Sequence, residues 1–118
     1  MKNSILQIKS YEFAKRIVGA SRFLITEKNE FVLSKQLLRS GTAIGALIRE
    51  AEFGQSRADF RNKMYVALKE ANETEYWLNL LRDTEFLSDR MFESLSLDCV
   101  ELIKMLVATV KTTGKPVS

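Results

Sequence analysis

Apolar residues recur along much of this chain at alternating spacings of four and three, the period of one face of an α-helix. The clearest stretch, Ser56 to Leu81, reads SRADFRNKMYVALKEANETEYWLNLL. Its first four residues, SRAD, have the form of a helix-capping box with Asp in place of the usual Glu. The pattern predicts one long helix packed along the seam of a bundle. Its stripe comprises Phe60, Met64, Ala67, Ala71, Thr74, Leu78 and Leu81.

Three further apolar stripes predict three more helices, two before this one and one after it. The first stripe comprises Phe13, Ile17, Ala20 and Leu24. The second comprises Leu37, Gly41, Ile44, Ile48 and Ala51. The last comprises Phe92, Leu95, Cys99, Leu102, Leu106 and Val110. The four helices are predicted over about residues 4–25, 32–53, 57–83 and 89–112, with Ser4 and Ser88 as N-caps.

Short connections between four long helices favour an antiparallel, up-down-up-down four-helix bundle. The sequence therefore predicts an all-α protein with one domain over residues 1–118. Only one Pro and five Gly interrupt the chain, which suits long helices. The tail from Thr112 to Ser118 contains Gly114 and Pro116 and is expected to fray.

Two glycines inside the second predicted helix need an explanation. Gly41 and Gly45 each cost about 1 kcal/mol relative to alanine in a helix interior. A neighbouring helix backbone that approaches closely would account for both, and we favour this interpretation. A local kink in the helix is the alternative.

Three features that the sequence lacks indicate where the protein is located. No apolar run approaches the roughly 20 residues that span a bilayer, so no membrane association is expected. The first residues, MKNSILQIKSYEF, lack the continuous apolar core of a signal peptide. The single cysteine, Cys99, has no partner for an internal disulfide. These features predict a reduced, cytoplasmic protein.

The charge of the chain is distributed unevenly. The net charge is only +3, but residues 1–30 carry +3, residues 31–69 carry +4, residues 70–101 carry −7 and residues 102–118 carry +3. Blocks of like sign indicate surfaces that meet something of opposite sign. The partner could be a nucleic acid, another protein or another copy of the chain.

Catalytic chemistry has little support in the sequence. Bundles of this kind often hold di-iron centres, which need Glu-x-x-His pairs, and this chain contains no histidine. Cys99 lies on an apolar stripe, where a cysteine is most simply a small buried hydrophobe. We expect no catalytic residue, no metal and no cofactor, and hence a protein that is not an enzyme.

The surplus of basic residues before residue 70 indicates nucleic-acid binding, with RNA or single-stranded DNA as the ligand. No base-reading motif is visible, so phosphates are the expected target. The best candidates are Arg39, Arg57, Arg61 and Lys63, near the start of the third helix and on the polar side of the second. The alternative interpretation is that these are ordinary solvated charges or charges between subunits.

Two adjacent aromatics suggest a subunit interface. Tyr76 and Trp77 point about 100° apart on a helix, so both cannot occupy one seam. Either one of them faces a groove or a neighbouring subunit, which we favour, or a wide core contains both. The acidic Glu70 and Glu73 lie on the same helix, where they could face basic helices of the next subunit. These four residues are the interface candidates.

The runs LSKQLLRSGTAIGALIREA and SRADFRNKMYVALKEANETEYWLNLL together resemble bacterial four-helix-bundle proteins of the 23S ribosomal RNA intervening-sequence type. The resemblance covers roughly residues 5–112, although Gly45 stands where many members have a proline. Matching positions in the third helix are Phe60, Lys63, Ala67, Leu68, Lys69, Glu70, Ala71, Glu73, Thr74, Trp77 and Leu78. Those in the second helix are Gln36, Leu37, Arg39, Ser40, Ile44 and Glu50.

The resemblance implies a left-handed antiparallel bundle that assembles as a ring, in known cases a homopentamer. A related branch comprises accessory variability proteins of diversity-generating retroelements, which bind nucleic acid and a reverse transcriptase, so a larger enzyme partner is also implied. Two functions compete. The first is a non-enzymatic oligomeric scaffold that binds nucleic acid. The second is a protein-interaction or structural ring module without nucleic acid, which the acidic block of residues 70–101 favours because it repels phosphate.

Overall fold

The computed structural model describes residues 4–114, which form four α-helices joined by short connections. The helices are α1 (Ile5–Lys28), α2 (Leu33–Glu52), α3 (Arg57–Asp83) and α4 (Asp89–Thr113). No strand occurs among the described residues, so the prediction of an all-α four-helix bundle is confirmed. Within residues 4–114 no helix is both long and apolar enough to cross a membrane. Residues 1–3 and 115–118 lie outside the described residues, and with them Pro116 and most of the tail that was expected to fray.

Three of the four helices begin at a serine that caps them. The Ser4 hydroxyl oxygen accepts a hydrogen bond from the Gln7 backbone N–H at 3.0 Å. Ser56 and Ser88 cap α3 and α4 in the same way, at 3.0 and 3.1 Å. Each bond satisfies an amide that has no partner inside the helix, which is worth about 1 kcal/mol. The predicted starts of these three helices are therefore confirmed.

The end of α1 differs from the prediction. The helix was expected to stop near residue 25, but it continues to Lys28, because none of Thr26, Glu27 and Lys28 breaks a helix. It stops at Asn29, which adopts the left-handed conformation with φ of 53°. Glu30 follows, and its side-chain Oε1 accepts a hydrogen bond from the Ser34 backbone N–H at 2.8 Å. Asn29 thus ends α1, and the Glu30 carboxylate satisfies an amide in the first turn of α2.

The bundle is elongated, with extents of 53 × 25 × 22 Å, and each helix packs against its neighbours in the chain. α1 also contacts α4, less extensively than it contacts α2. Ion pairs bridge this thinner contact, at 2.9 Å between Lys9 and Glu101 and 2.5 Å between Arg16 and Asp98. Rising numbers on α1 meet falling numbers on α4, as an antiparallel arrangement requires.

The predicted apolar stripes form the core. Every predicted stripe residue is buried except Phe60 and Val110, which are partly buried and pack against the core. Both lie near an end of their helix, where fewer neighbouring residues cover them. The helical period alone therefore identified the buried face of all four helices.

Close approach of α1 explains the glycines of α2. A Cβ atom on Gly41 would lie 2.8 Å from both Cγ atoms of Ile17. A Cβ atom on Gly45 would lie 3.4 Å from the backbone carbonyl of Ser10. The α2 helix is continuous from Leu33 to Glu52. The predicted close approach of a helix backbone is thus found at Gly45, whereas at Gly41 the Ile17 side chain occupies the space.

Buried hydroxyls join α2 to α3. The Thr74 hydroxyl donates a hydrogen bond to Ser40 Oγ at 3.0 Å, and the Ser40 hydroxyl donates to the Gln36 carbonyl at 3.0 Å. Ser40 and Thr74 are completely buried. Since a buried polar group without a partner is unfavourable, this chain of bonds favours one register of α3 against α2.

Candidate nucleic-acid interface

Several cations gather at one end of the bundle. Arg57, Arg61 and Lys63 lie in the first two turns of α3, Arg49 lies in the last turn of α2, and Lys111 lies in the last turn of α4. In an antiparallel bundle these three helix ends meet. We call this set of five residues the basic end. A Cβ atom on Gly114 would lie 2.9 Å from Arg61 Nε, which places the Arg61 side chain against the end of α4.

The carboxylates of α2 at this end already have partners within the chain. Glu50 pairs with Lys63 at 3.5 Å. Glu52 accepts hydrogen bonds from the Ser4 hydroxyl at 2.6 Å and from the Gln7 amide. Arg49, Arg61 and Lys111 are exposed and form no ion pair within residues 4–114. Their charges remain available to an external anion.

Arg39 lies apart from the other three predicted cations. It stands thirteen residues before the end of α2, about 20 Å away at 1.5 Å per residue. Its guanidinium pairs with Glu70 at 3.2 Å and also with Glu73. The four predicted nucleic-acid residues therefore form two groups, and the Arg39 group is balanced by two carboxylates of its own chain.

The interface candidates occupy two different sides of α3. Glu70 and Glu73 face Arg39 of the same chain, and Glu73 also accepts a hydrogen bond from Trp77 Nε1 at 3.0 Å. Trp77 is partly buried and packs against the core. Tyr76 is 60% exposed, and its ring meets the Trp77 ring edge-on with the centroids 5.0 Å apart. Of the four residues, Tyr76 is the one most open to solvent.

The outer face of α3, opposite the core, carries a row of exposed residues that the sequence analysis did not recognise as a set. Tyr65 is 49% exposed and lies eleven residues before Tyr76, which is three helical turns plus about 20°. The exposed Lys69 and Asn72 lie between them, and Arg61 lies one turn before Tyr65. The spacing of eleven was the signal available in the sequence. We use the outer face of α3 to mean Arg61, Tyr65, Lys69, Asn72 and Tyr76.

Cys99 is buried between α3 and α4. Its thiol is buried and donates a hydrogen bond to the Ala71 carbonyl at 3.3 Å. Burial, and then the nearby carboxylate of Glu75, raise the pKa of the Cys99 thiol well above its usual range. The thiol therefore stays protonated at neutral pH and is a poor nucleophile. Among residues 4–114 no three His, Cys, Asp or Glu side chains are placed to hold a metal ion.

The fold and its charged surfaces define the class of protein as a small antiparallel four-helix bundle with a basic end and an exposed aromatic and basic helix face. Comparison with protein families then gives the family. The model of the 23S rRNA-intervening sequence protein family matches residues 2–108, and the chain belongs to this family. Comparison with curated proteins found no match.

A solved structure shares both the fold and much of the sequence. It is a protein with unknown function from the S23 ribosomal protein family of Bacteroides thetaiotaomicron. The two chains are 57% identical and superpose with a TM-score of 0.90. The match covers 91% of this chain and 99% of the Bacteroides chain. The likeness therefore extends over most of this chain.

Proposed function

We propose that this protein is a non-enzymatic, homo-oligomeric scaffold that binds RNA or single-stranded DNA through its basic surface. The basic end is the observation that carries the proposal. Arg49, Arg61 and Lys111 are exposed there without an ion pair to any of residues 4–114, while Glu50 and Glu52 have partners within the chain. A phosphate backbone is the polyanion that such a surface suits.

Assembly of several copies of the chain would bring several basic ends together in one particle. We expect a homopentamer, as the resemblance implies, in which each copy contributes one basic end. Several phosphates would then be contacted at once, and affinity would fall steeply with salt. Analytical sedimentation measures the assembly: a species of five times 13.5 kDa is expected, and a 13.5 kDa monomer at micromolar concentration would contradict it.

The family name refers to 23S rRNA, so RNA is the first ligand to test. The experiment is a titration of labelled RNA at several salt concentrations with the wild type and with an Arg57→Glu/Arg61→Glu variant. The variant is expected to bind more weakly and with a shallower salt dependence. An Arg22→Glu/Arg90→Glu variant makes the same charge change at the other end of the bundle and is the matched control. Absence of wild-type binding at 50 mM salt and micromolar protein would refute the proposal.

A protein-interaction or structural ring module without nucleic acid is the second candidate. One observation favours it: Leu97 on α4 is 72% exposed, and the exposed Glu93 lies one turn before it. An exposed apolar side chain beside a carboxylate suits a basic, partly apolar protein surface and repels phosphate. A wild type that forms the ring but binds no nucleic acid would support this second function.

A further inference from the structure

We propose that the outer face of α3 is a track for single-stranded nucleic acid, on which Tyr65 and Tyr76 stack with unpaired bases while Arg61 and Lys69 contact phosphates. This inference rests on the proposed function, that the protein binds nucleic acid. It adds which face of the molecule does so, and it requires the ligand to be single-stranded.

The helix period places these side chains in one row. Tyr65 and Tyr76 are eleven residues apart, so they lie on the same face of α3 at a distance of about 16 Å along the axis. Lys69 lies one turn after Tyr65, and Arg61 lies one turn before it. Aromatic and cationic side chains therefore alternate along one exposed line. Stacking platforms beside cations are the usual means by which proteins bind single strands without reading their sequence.

Both tyrosines are open enough to receive a base. Tyr65 is 49% exposed and Tyr76 is 60% exposed. The edge-on contact with Trp77 holds the Tyr76 ring, since Trp77 itself is fixed by its hydrogen bond to Glu73. A ring that is already held loses less freedom when a ligand binds.

The cations of this face are available to phosphate, although residues 70–101 carry −7. Arg61 and Lys69 form no ion pair within residues 4–114. Three carboxylates lie on α3 between Lys69 and Tyr76, and all three have partners to the sides. A fourth, Asp83 at the end of the helix, pairs with Arg82 at 3.1 Å. Glu70 and Glu73 pair with Arg39 on α2. The Glu75 carboxylate accepts hydrogen bonds from Ser96 on α4, at 2.6 Å, and from Asn79.

Stacking also decides which form of nucleic acid is bound. In a duplex the base faces are covered by their neighbours, so tyrosines can stack only on unpaired bases. Phosphates, in contrast, are available in both forms. The outer face of α3 should therefore bind a single strand more tightly than a duplex of the same sequence, and the tyrosines should supply that difference.

The test compares a Tyr65→Ala/Tyr76→Ala variant with the wild type by fluorescence anisotropy. The probes are a labelled oligouridine, an oligothymidine of equal length and a duplex, which separate RNA from DNA and single from double strands. The matched control is Tyr11→Ala, which removes a tyrosine that is 65% exposed on α1. We expect the double variant to bind both single strands at least about tenfold more weakly, with little change for the duplex. The control should bind as the wild type does.

The outcomes separate this inference from the function on which it rests. If the wild type binds no probe, the proposed function fails. If it binds single strands and the double variant binds them equally well, only the outer face of α3 is excluded. If the double variant instead loses its assembly in sedimentation, the tyrosines are subunit contacts and the inference is overturned.

Photocrosslinking of the wild type to 5-bromouridine RNA gives a second measurement that needs no variant. Crosslinked peptides containing Tyr65 or Tyr76 are expected. Crosslinks confined to α1 and α2 would overturn the inference.

Discussion

Two sides of the same helix use their charges differently. On the side of α3 that faces α2, Glu70 and Glu73 pair with Arg39, and Glu73 also holds Trp77. On the outer face, Arg61 and Lys69 have no ion-pair partner among residues 4–114. The first side uses its charges to pack one helix against another. The second leaves its cations available to solvent and ligands.

This difference shows that the charge of a sequence block is a poor guide to the surface it produces. Residues 70–101 carry −7, yet Glu70, Glu73 and Glu75 all have partners within the chain. Arg39 counts toward a basic block, yet two carboxylates neutralise it. Pairing between neighbouring helices decides which charges a ligand meets.

The largest expected effect comes from neutralising the cations of the outer face. An Arg61→Gln/Lys69→Gln variant removes two charged contacts to phosphate, each worth roughly 1.5–3 kcal/mol. We expect single-strand binding to weaken about a hundredfold or more, and the slope of log affinity against log salt to fall by about two. Anisotropy titrations at four salt concentrations measure both quantities.

Arg39→Gln is the control that sharpens the comparison. Its guanidinium is 49% exposed but paired, so its loss should leave the salt slope unchanged and lower the free energy of unfolding by at most about 1 kcal/mol. A salt slope that falls for Arg39→Gln as much as for a single change at Arg61 would show that the two sides of α3 are not distinct.

The next effect concerns the close packing of α2 against α1 at Gly41. Gly41→Leu would place a Cβ atom 2.8 Å from Ile17, before the rest of the leucine side chain is accommodated. Overpacking of this kind should lower the free energy of unfolding by about 1–3 kcal/mol. Urea unfolding followed by circular dichroism measures it. An unchanged midpoint of urea unfolding, together with unchanged assembly, would contradict the close packing of α1 against α2.

Burial of the Cys99 thiol between α3 and α4 should make the stability of the protein depend on pH in the alkaline range. The folded state keeps the Cys99 thiol protonated because its pKa is raised, whereas the unfolded thiol ionises above about pH 8.5. The unfolded state then binds fewer protons than the folded state, so wild-type stability should fall as pH rises past that point. Relative to Cys99→Ala, the loss should approach about 1.4 kcal/mol per pH unit. A difference in stability between the wild type and Cys99→Ala that stays constant from pH 7 to 10 would mean that the thiol is not buried in the folded state.

The smallest effect is expected at a glycine in open space. A Cβ atom on Gly19 would meet nothing within 4 Å, in contrast to Gly41. Gly19→Ala should therefore raise the free energy of unfolding by about 0.5–1 kcal/mol through helix propensity. The same urea titration measures it, and a loss of stability would show that this position is covered in the assembled protein.

Most of the fold could be predicted from the sequence, because a buried helix face repeats every 3.6 residues and a serine cap precedes three of the helices. The end of α1 could not, since it depends on the left-handed conformation of Asn29. The pairing of Arg39 with Glu70 and Glu73 depends on the register of α2 against α3, which the period does not specify. The row from Tyr65 to Tyr76 was open to prediction from its spacing, but the adjacent Tyr76 and Trp77 suggested a subunit interface instead.

The central claim is that single strands bind on the outer face of α3, and the single tryptophan of the chain offers the most direct test. The Trp77 ring lies 5.0 Å from the Tyr76 ring, so a base stacked on Tyr76 would lie beside it. We predict that adding an oligouridine strand to the wild type quenches Trp77 fluorescence in step with the anisotropy signal, and that a duplex does not. Binding by anisotropy with unchanged Trp77 fluorescence would contradict the claim and place the nucleic acid elsewhere on the bundle.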